Sequence, residues 1–151
     1  MSEIDVRIVE LEPMRVASAH GFGKQPEGIA WDKLLTWMNA HGLKRDEVRF
    51  FGFNNPDPSP GSPNYGYEQW VTVGPDAVSE GEITVKEFGG GHYAVTRCKL
   101  PRIGEAWKQL AAWREESHYQ CGHYQWLEEL ISPPGTPFED LVLDIYLPIT
   151  P

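Results

Sequence analysis

"AWDKLLTW" at residues 30–37 and "AWKQLAAW" at 106–113 both read A-W-x-x-L-x-x-W, 76 positions apart in a chain of 151 residues. The match extends in both directions. At offset 77, "VRIVELEPMRVASAH" (6–20) lies over "ITVKEFGGGHYAVTR" (83–97), so that Glu10 meets Glu87 and Ala17 meets Ala94. At offset 76, "YEQWVTV" (67–73) lies over "LDIYLPI" (143–149), with Glu68 on Asp144 and Trp70 on Tyr146. "VRFFGF" (48–53) falls over "YQWLEE" (124–129) at the same offset. Self-similarity at a fixed spacing fixes architecture before any local reading does. Two copies are too few for a solenoid. The sequence therefore implies one domain over residues 1–151, built from a repeat at 4–74 and 81–149 about a pseudo-two-fold axis.

Each repeat reads as β-α-β-β. Residues 4–20 carry apolar and β-branched positions broken at Glu12-Pro13, a strand with a bend. Trp31, Leu34, Leu35 and Met38 recur at i, i+3, i+4 and i+7, the spacing of one buried helical face, and Gly42 is a stop signal. "VRFFGF" and "YEQWVTVG" (67–74) read as strands, separated by the Pro/Asn/Ser/Gly-dense loop 54–66. In the second copy, strands over 82–98 turn at "GGG" (89–91). A helix follows from Arg102 to Ser117, with Ile103, Trp107, Leu110 and Ala111 on one face. "YQWLEELI" (124–131) is read as a strand, although its Glu and Leu content also suits a helix. Then come a loop over 132–140 and a closing strand, "LVLDIYLPI" (141–149). The expected class is α+β: duplicated β-α-β-β units with pseudo-two-fold symmetry, an antiparallel sheet and two helices on one face.

Composition narrows the partners. Thirteen Lys and Arg stand against 22 Asp and Glu, a formal charge of −9. That balance argues against direct nucleic-acid binding, which needs basic patches, and no helix-turn-helix precedes the first repeat. No apolar run reaches the roughly 18 residues of a membrane span. The acidic N-terminus has no signal-peptide core. Two cysteines, Cys98 and Cys121, make no disulfide framework, so free thiols in a reducing cytoplasm are expected.

The order of these pieces resembles the GyrI-like small-molecule-binding domain, the effector-binding domain of AraC-type and MerR-type multidrug regulators, which also occurs alone. The resemblance rests on "YEQWVTV", a Glu-bearing strand "LEELIS" (127–132), a Pro-rich loop and "DIYLPI" (144–149) in that order, and it covers the whole chain. It implies a groove between the two repeats, lined by aromatic residues, with an acidic residue at its floor. "LEELIS" places that acid at Glu128. A second acid, Glu129, follows at once; on a strand the two point to opposite sides, so one of them faces the groove.

Tyr67 and Gln69 share one strand face, and Glu68 and Trp70 the other. A bland reading makes Trp70 core and Glu68 solvated; the resemblance makes one face a groove lining. Tyr124, Trp126 and Glu128 alternate, and a carboxylate between aromatic rings suits a flat or cationic ligand. Tyr146 is the repeat counterpart of Trp70. The candidate ligand-binding residues are thus Tyr67, Glu68, Trp70, Tyr124, Trp126, Glu128 and Tyr146, and the expected partner is an aromatic or cationic small molecule. The resemblance also implies an alternative. Stand-alone members hydrolyse the cyclopropane of DNA-alkylating natural products, which here would use Glu128 as base and Tyr67 as donor. His118, Cys121 and His123 (H-x-x-C-x-H) supply three zinc-type donors. A closed structural site needs four, and the fourth would be Cys98 or His92 from elsewhere, so no metal is expected. "GGG" lacks the Lys-Ser/Thr of a phosphate loop, and "GFGKQPEG" (21–28) does not complete a dinucleotide fingerprint. No cofactor is expected.

Overall fold

The computed structural model of the chain describes residues 4–55, 57, 60–133 and 136–151. The loops expected at 54–66 and 132–140 are therefore covered in part; their residues 56, 58–59 and 134–135 lie outside the described residues. In chain order the elements are β1 (Arg7–Leu11), β2 (Met14–Gly23), α1 (Pro26–Ala40), β3 (Phe50–Asn54), β4 (Tyr65–Thr72) and β5 (Thr84–Phe88). They continue as β6 (Gly91–Lys99), α2 (Ile103–Glu116), β7 (Gln120–Cys121), β8 (Leu127–Leu130) and β9 (Val142–Thr150). Strand pairing among the described residues is antiparallel. With its two helices this is the expected α+β class.

The chain forms two compact units, and they do not follow the boundaries of the sequence repeat. One holds residues 14–88, the other residues 1–13 with 89–151. In the first, the strand order is β5-β2-β4-β3. In the second it is β1-β6-β9-β8, with the short β7 also on β9. The strand set of each unit is thus completed by a strand from the other half of the sequence. β1 and β6 pair as Val9↔Tyr93, and β5 and β2 as Val16↔Lys86. The turn expected at "GGG" is consequently no hairpin, because β5 and β6 do not pair and belong to different compact units. Gly90 explains the path. It has φ +78°, and a Cβ there would run into the Leu11 carbonyl, so only glycine fits.

Ion pairs fasten both edge strands. Arg7 on β1 reaches Asp144 on β9 at 2.8 Å. Lys86 on β5 pairs with Glu68 on β4, and Arg15 on β2 with Glu87 on β5 at 2.5 Å. Each carboxylate partner on the closing strands is buried, which keeps water from competing for it.

Helix α1 opens with Pro26 in its first turn and Glu27 beside it, a pre-set φ and a charge that suit the exposed N–H groups there. Its buried stripe is Ala30, Leu34, Trp37 and Met38, rotated by about one residue from the expected Trp31, Leu34, Leu35 and Met38. Leu34 and Met38 are almost completely buried, and each such side chain stabilises by about 1.5–3 kcal/mol. Trp31 sits at the margin, 5.0 Å from Phe50. Phe50 opposes Val71, and directly opposed residues share a face. The helix therefore covers the Tyr67/Gln69/Val71 side of its sheet.

In the other unit, Ala106 and Leu110 of α2 pack on Ala94, Ile145, Leu147 and Ile149. Ile103 and Trp107, expected on the buried face with Leu110 and Ala111, are only partly buried at its rim. Asp144 and Tyr146 alternate with this core and so point away from α2. Among the described residues no helix is long and apolar enough to cross a membrane.

Candidate functional site

Glu128 opposes Ile145 across the β8–β9 ladder, and Ile145 lies in the α2 core. Glu128 therefore emerges on the α2 side. There its Oε2 accepts a hydrogen bond from Trp107 Nε1 at 3.2 Å. Trp107 in turn lies 5.4 Å from Trp126, with the two rings inclined by 34°. Trp126 is 44% exposed, unusual for so large an apolar group, and Glu128 and Trp107 are half-buried. A carboxylate beside two accessible indoles offers a negative charge and two π faces together. That arrangement attracts an aromatic cation through both terms. Trp107 was assigned to the helix core in the sequence. Its rim position depends on which turn of α2 meets the sheet, and no local motif encodes that.

Tyr124 does not join this cluster. Residues 124–126 precede β8 rather than extending it, so the strict alternation expected for Tyr124, Trp126 and Glu128 does not hold. Tyr124 instead packs 6.0 Å from Tyr93, and Tyr146 meets Tyr93 edge-on at 5.5 Å. Tyr93 is completely buried and donates to the Gln125 carbonyl at 2.6 Å. Burial pushes its hydroxyl pKa well up, with a smaller contribution from Tyr124.

Glu129 opposes Asp144, on the side of the sheet away from α2. It is buried and accepts from the Tyr146 hydroxyl at 2.6 Å. Asp144 accepts from Arg7 at 2.8 Å and from Arg97 Nε at 2.8 Å. Burial opposes its ionisation, yet the hydrogen bonds and charges of Arg97 and Arg7 more than offset this and hold its pKa low. Glu128 and Glu129 thus occupy chemically different sides: the former stands with indoles at a surface, the latter in a tyrosine–arginine interior.

In the other unit Tyr67 and Glu68 also diverge. Tyr67 is buried on the α1 side, with its ring over Gly52; a Cβ at that glycine would overlap the phenol. Glu68 and Trp70 point the opposite way. Glu68 accepts from Trp70 Nε1 at 2.6 Å, Ser18 Oγ at 2.7 Å and Asn55 Nδ2 at 3.2 Å, and it pairs with Lys86. Desolvation raises its pKa, but the bonds from Lys86, Trp70 and Ser18 outweigh that and lower it. Phe53 and Phe88 flank Trp70 at 5.2 and 5.4 Å. The bland reading of Trp70 as core holds, whereas Glu68 is buried rather than solvated. Ser18, Asn55 and Lys86 had no motif to announce them; they come from two other strands and a loop.

Among the described residues, no group of three or more His, Cys, Asp and Glu is arranged to hold a metal. The His118 ring instead lies 4.2 Å from that of Tyr119, inclined to it by 32°. Burial, then the charges of Glu128 and Asp144, push the Cys98 thiol up to about 11. Two cavities open in the unit containing α2, of about 190 and about 510 Å³. Neither is lined by any of the candidate ligand-binding residues. The exposed Trp126 indole, the half-buried Trp107 and the Glu128 carboxylate are therefore the candidate site, apart from these two cavities.

The α+β fold is that of a GyrI-like small-molecule-binding domain. Within that class the chain belongs to the Cass2 family of integron-associated effector binding proteins, whose model matches residues 7–149. By sequence, no curated protein matches it. Among solved structures, the EcmrR C-terminal domain is similar with a TM-score of 0.74 at 16% identity, over 97% of this chain and 98% of that one. In a cryo-EM structure of the EcmrR–DNA complex the TM-score is 0.73 at 15% identity, over 96% of this chain. The chain spans 57% of the length of that EcmrR chain. A hydrolase from Listeria innocua gives 0.68 at 12% identity, over 99% of this chain and 94% of that one. SAV2435 bound to tetraphenylphosphonium gives 0.64 at 12% identity, over 97% and 94%. At these identities the likeness establishes the fold.

Proposed function

We propose that this protein binds hydrophobic aromatic cations, as a sensor or sequestering module, and that Trp107, Trp126 and Glu128 contact the ligand. The observation that carries this is the Glu128 carboxylate, held by the Trp107 indole beside the exposed face of Trp126. Ring faces attract a cation by about 0.5–2 kcal/mol each, depending on desolvation, and the carboxylate adds a charge-assisted contact. The tetraphenylphosphonium complex of a protein of the same fold supports the choice of ligand class. Hydrolysis gains no comparable support from the hydrolase-named structures of the same fold, which are 12% and 10% identical to this chain.

The test is a calorimetric titration with tetraphenylphosphonium, followed in parallel by tryptophan fluorescence. One equivalent should saturate the protein, with quenching that Trp126→Ala largely removes. A Trp126→Ala protein that binds as tightly as the parent would overturn the assignment.

A further inference from the structure

Each compact unit carries a carboxylate that accepts from an indole: Glu128 from Trp107 at 3.2 Å, and Glu68 from Trp70 at 2.6 Å. At Glu68 a cation already stands in place, and it belongs to the chain itself. Lys86 opposes Val16 and Phe88 opposes Met14 on the β2–β5 ladder, while Ser18 opposes Trp70 and His20 opposes Glu68 on the β2–β4 ladder. Opposed and alternate residues share a face, so Lys86, Phe88, Ser18, Glu68 and Trp70 project from one side of the sheet. The Lys86 ammonium pairs with Glu68 Oε2 and lies 5.7 Å from the centroid of the Trp70 ring, inside the range of a cation–π contact. Phe53 and Phe88 wall the indole at 5.2 and 5.4 Å.

This is more than a strand clamp requires. Arg15 and Glu87 already tie β2 to β5 at the surface, whereas Lys86 reaches across β2 to an acid on β4. The charges balance one to one, and the rings add attraction that a bare ion pair lacks. Access is one-sided: the Lys86 side chain is 41% exposed and that of Glu68 8%. The ammonium thus enters from solvent and meets the acid at the bottom of an aromatic recess.

We propose that Glu68, Trp70, Phe53 and Phe88 form a second recognition site, for a small primary alkylammonium ion, which Lys86 fills as an internal ligand and so closes to external cations. Recognition resides in the acid and the rings; the tether supplies occupancy. A linked group presents itself at an effective concentration in the millimolar range or above, which a weakly held free amine does not match. The inference does not depend on the ligand assigned to Glu128.

The test is chemical rescue. Lys86→Ala removes Cγ, Cδ, Cε and Nζ, the atoms of n-propylammonium. Added as its chloride at constant ionic strength against sodium chloride, n-propylammonium should raise the Tm of Lys86→Ala by about 3–6 °C more than that of the parent, once it reaches ten times its Kd. n-Propanol, of the same length without the charge, should not. Glu68→Gln/Lys86→Ala should lose the rescue, which separates this site from any binding at Glu128. A gain no larger than the parent's, an equal gain from n-propanol, or rescue that survives Glu68→Gln overturns the proposal. If Lys86→Ala does not fold in sodium chloride, folding in n-propylammonium chloride but not in n-propanol supports it, and failure in both overturns it.

Discussion

Replacing Glu128 by Gln removes one charge and nearly keeps the side chain's shape. The amide oxygen can still accept from the Trp107 indole, now 3.2 Å from the carboxylate, so the side chain keeps its anchor. A charge-assisted contact contributes about 1.5–3 kcal/mol. Glu128 is half-buried, and solvent screening places the loss at the low end, about 1.5 kcal/mol. That is about a tenfold weaker Kd. Tetraphenylphosphonium carries a permanent charge, so any pH dependence of its affinity reports the protein. A neutral triaryl compound such as triphenylphosphine oxide should bind parent and variant alike.

Calorimetry at low and at physiological salt completes the comparison. The parent's affinity for the cation should fall as salt rises, because the screening length shortens to about 8 Å at 0.15 M; the Gln variant should be nearly insensitive. Equal affinity of parent and variant for the cation, with the variant folded, would refute the reasoning. So would an equal loss for the neutral compound, because the effect would then be steric. Should the parent consume excess ligand rather than saturate at one equivalent, the protein is a hydrolase and Glu128→Gln should abolish turnover.

Four further outcomes follow from the geometry. Glu68→Gln should destabilise the protein by about 2 kcal/mol in urea unfolding, from loss of charge-assisted bonds to a buried acceptor, with the part from half-exposed Lys86 reduced by solvent screening. Because the folded-state pKa of Glu68 is depressed below its usual 4.5, its stabilisation is complete above that pH and lost as pH falls; the parent and Gln curves should converge in acid. Asp144→Asn, by loosening Arg7, should raise hydrogen exchange in β1 more than in β9. Gly52→Ala should cost about 1–3 kcal/mol, since its Cβ meets the Tyr67 ring, an effect a Tyr67→Phe background should partly relieve as a thermal-melt difference. Cys121, exposed, should alkylate well before Cys98, whose thiol is part-buried and shifted to about 11; equal rates by mass spectrometry would contradict that.

Much of the fold was legible because its signals are periodic and local. The A-W-x-x-L-x-x-W phrases mark both helices, and the alternation in "YEQWVTV" and "LVLDIYLPI" marks β4 and β9. The crossing of β1 and β5 into each other's compact units was not legible. Strand period says which side a residue faces, and it is silent on which edge receives the strand. The same limit governs the candidate site. Trp126 and Glu128 were accessible from the "LEELIS" resemblance, but Trp107 and the departure of Tyr124 depend on where β8 begins and on the rotation of α2.

The acids make the distinction between structure and function most sharply. Glu68, Asp144, Glu128 and Glu129 all stand within three residues of an aromatic in the sequence, and pattern alone treats them alike. Burial and partners separate them. Glu68 and Asp144 sit at 6% and 3% exposure and have their oxygens engaged by cations and hydroxyl or indole donors. A carboxylate satisfied in this way is costly to disturb, because a ligand would have to displace bonds already formed in a dry site. Such acids fasten strands. Glu128, with water still reaching it and an exposed indole alongside, can exchange solvent for a ligand at lower cost, and it is the acid on which recognition of a cation can turn.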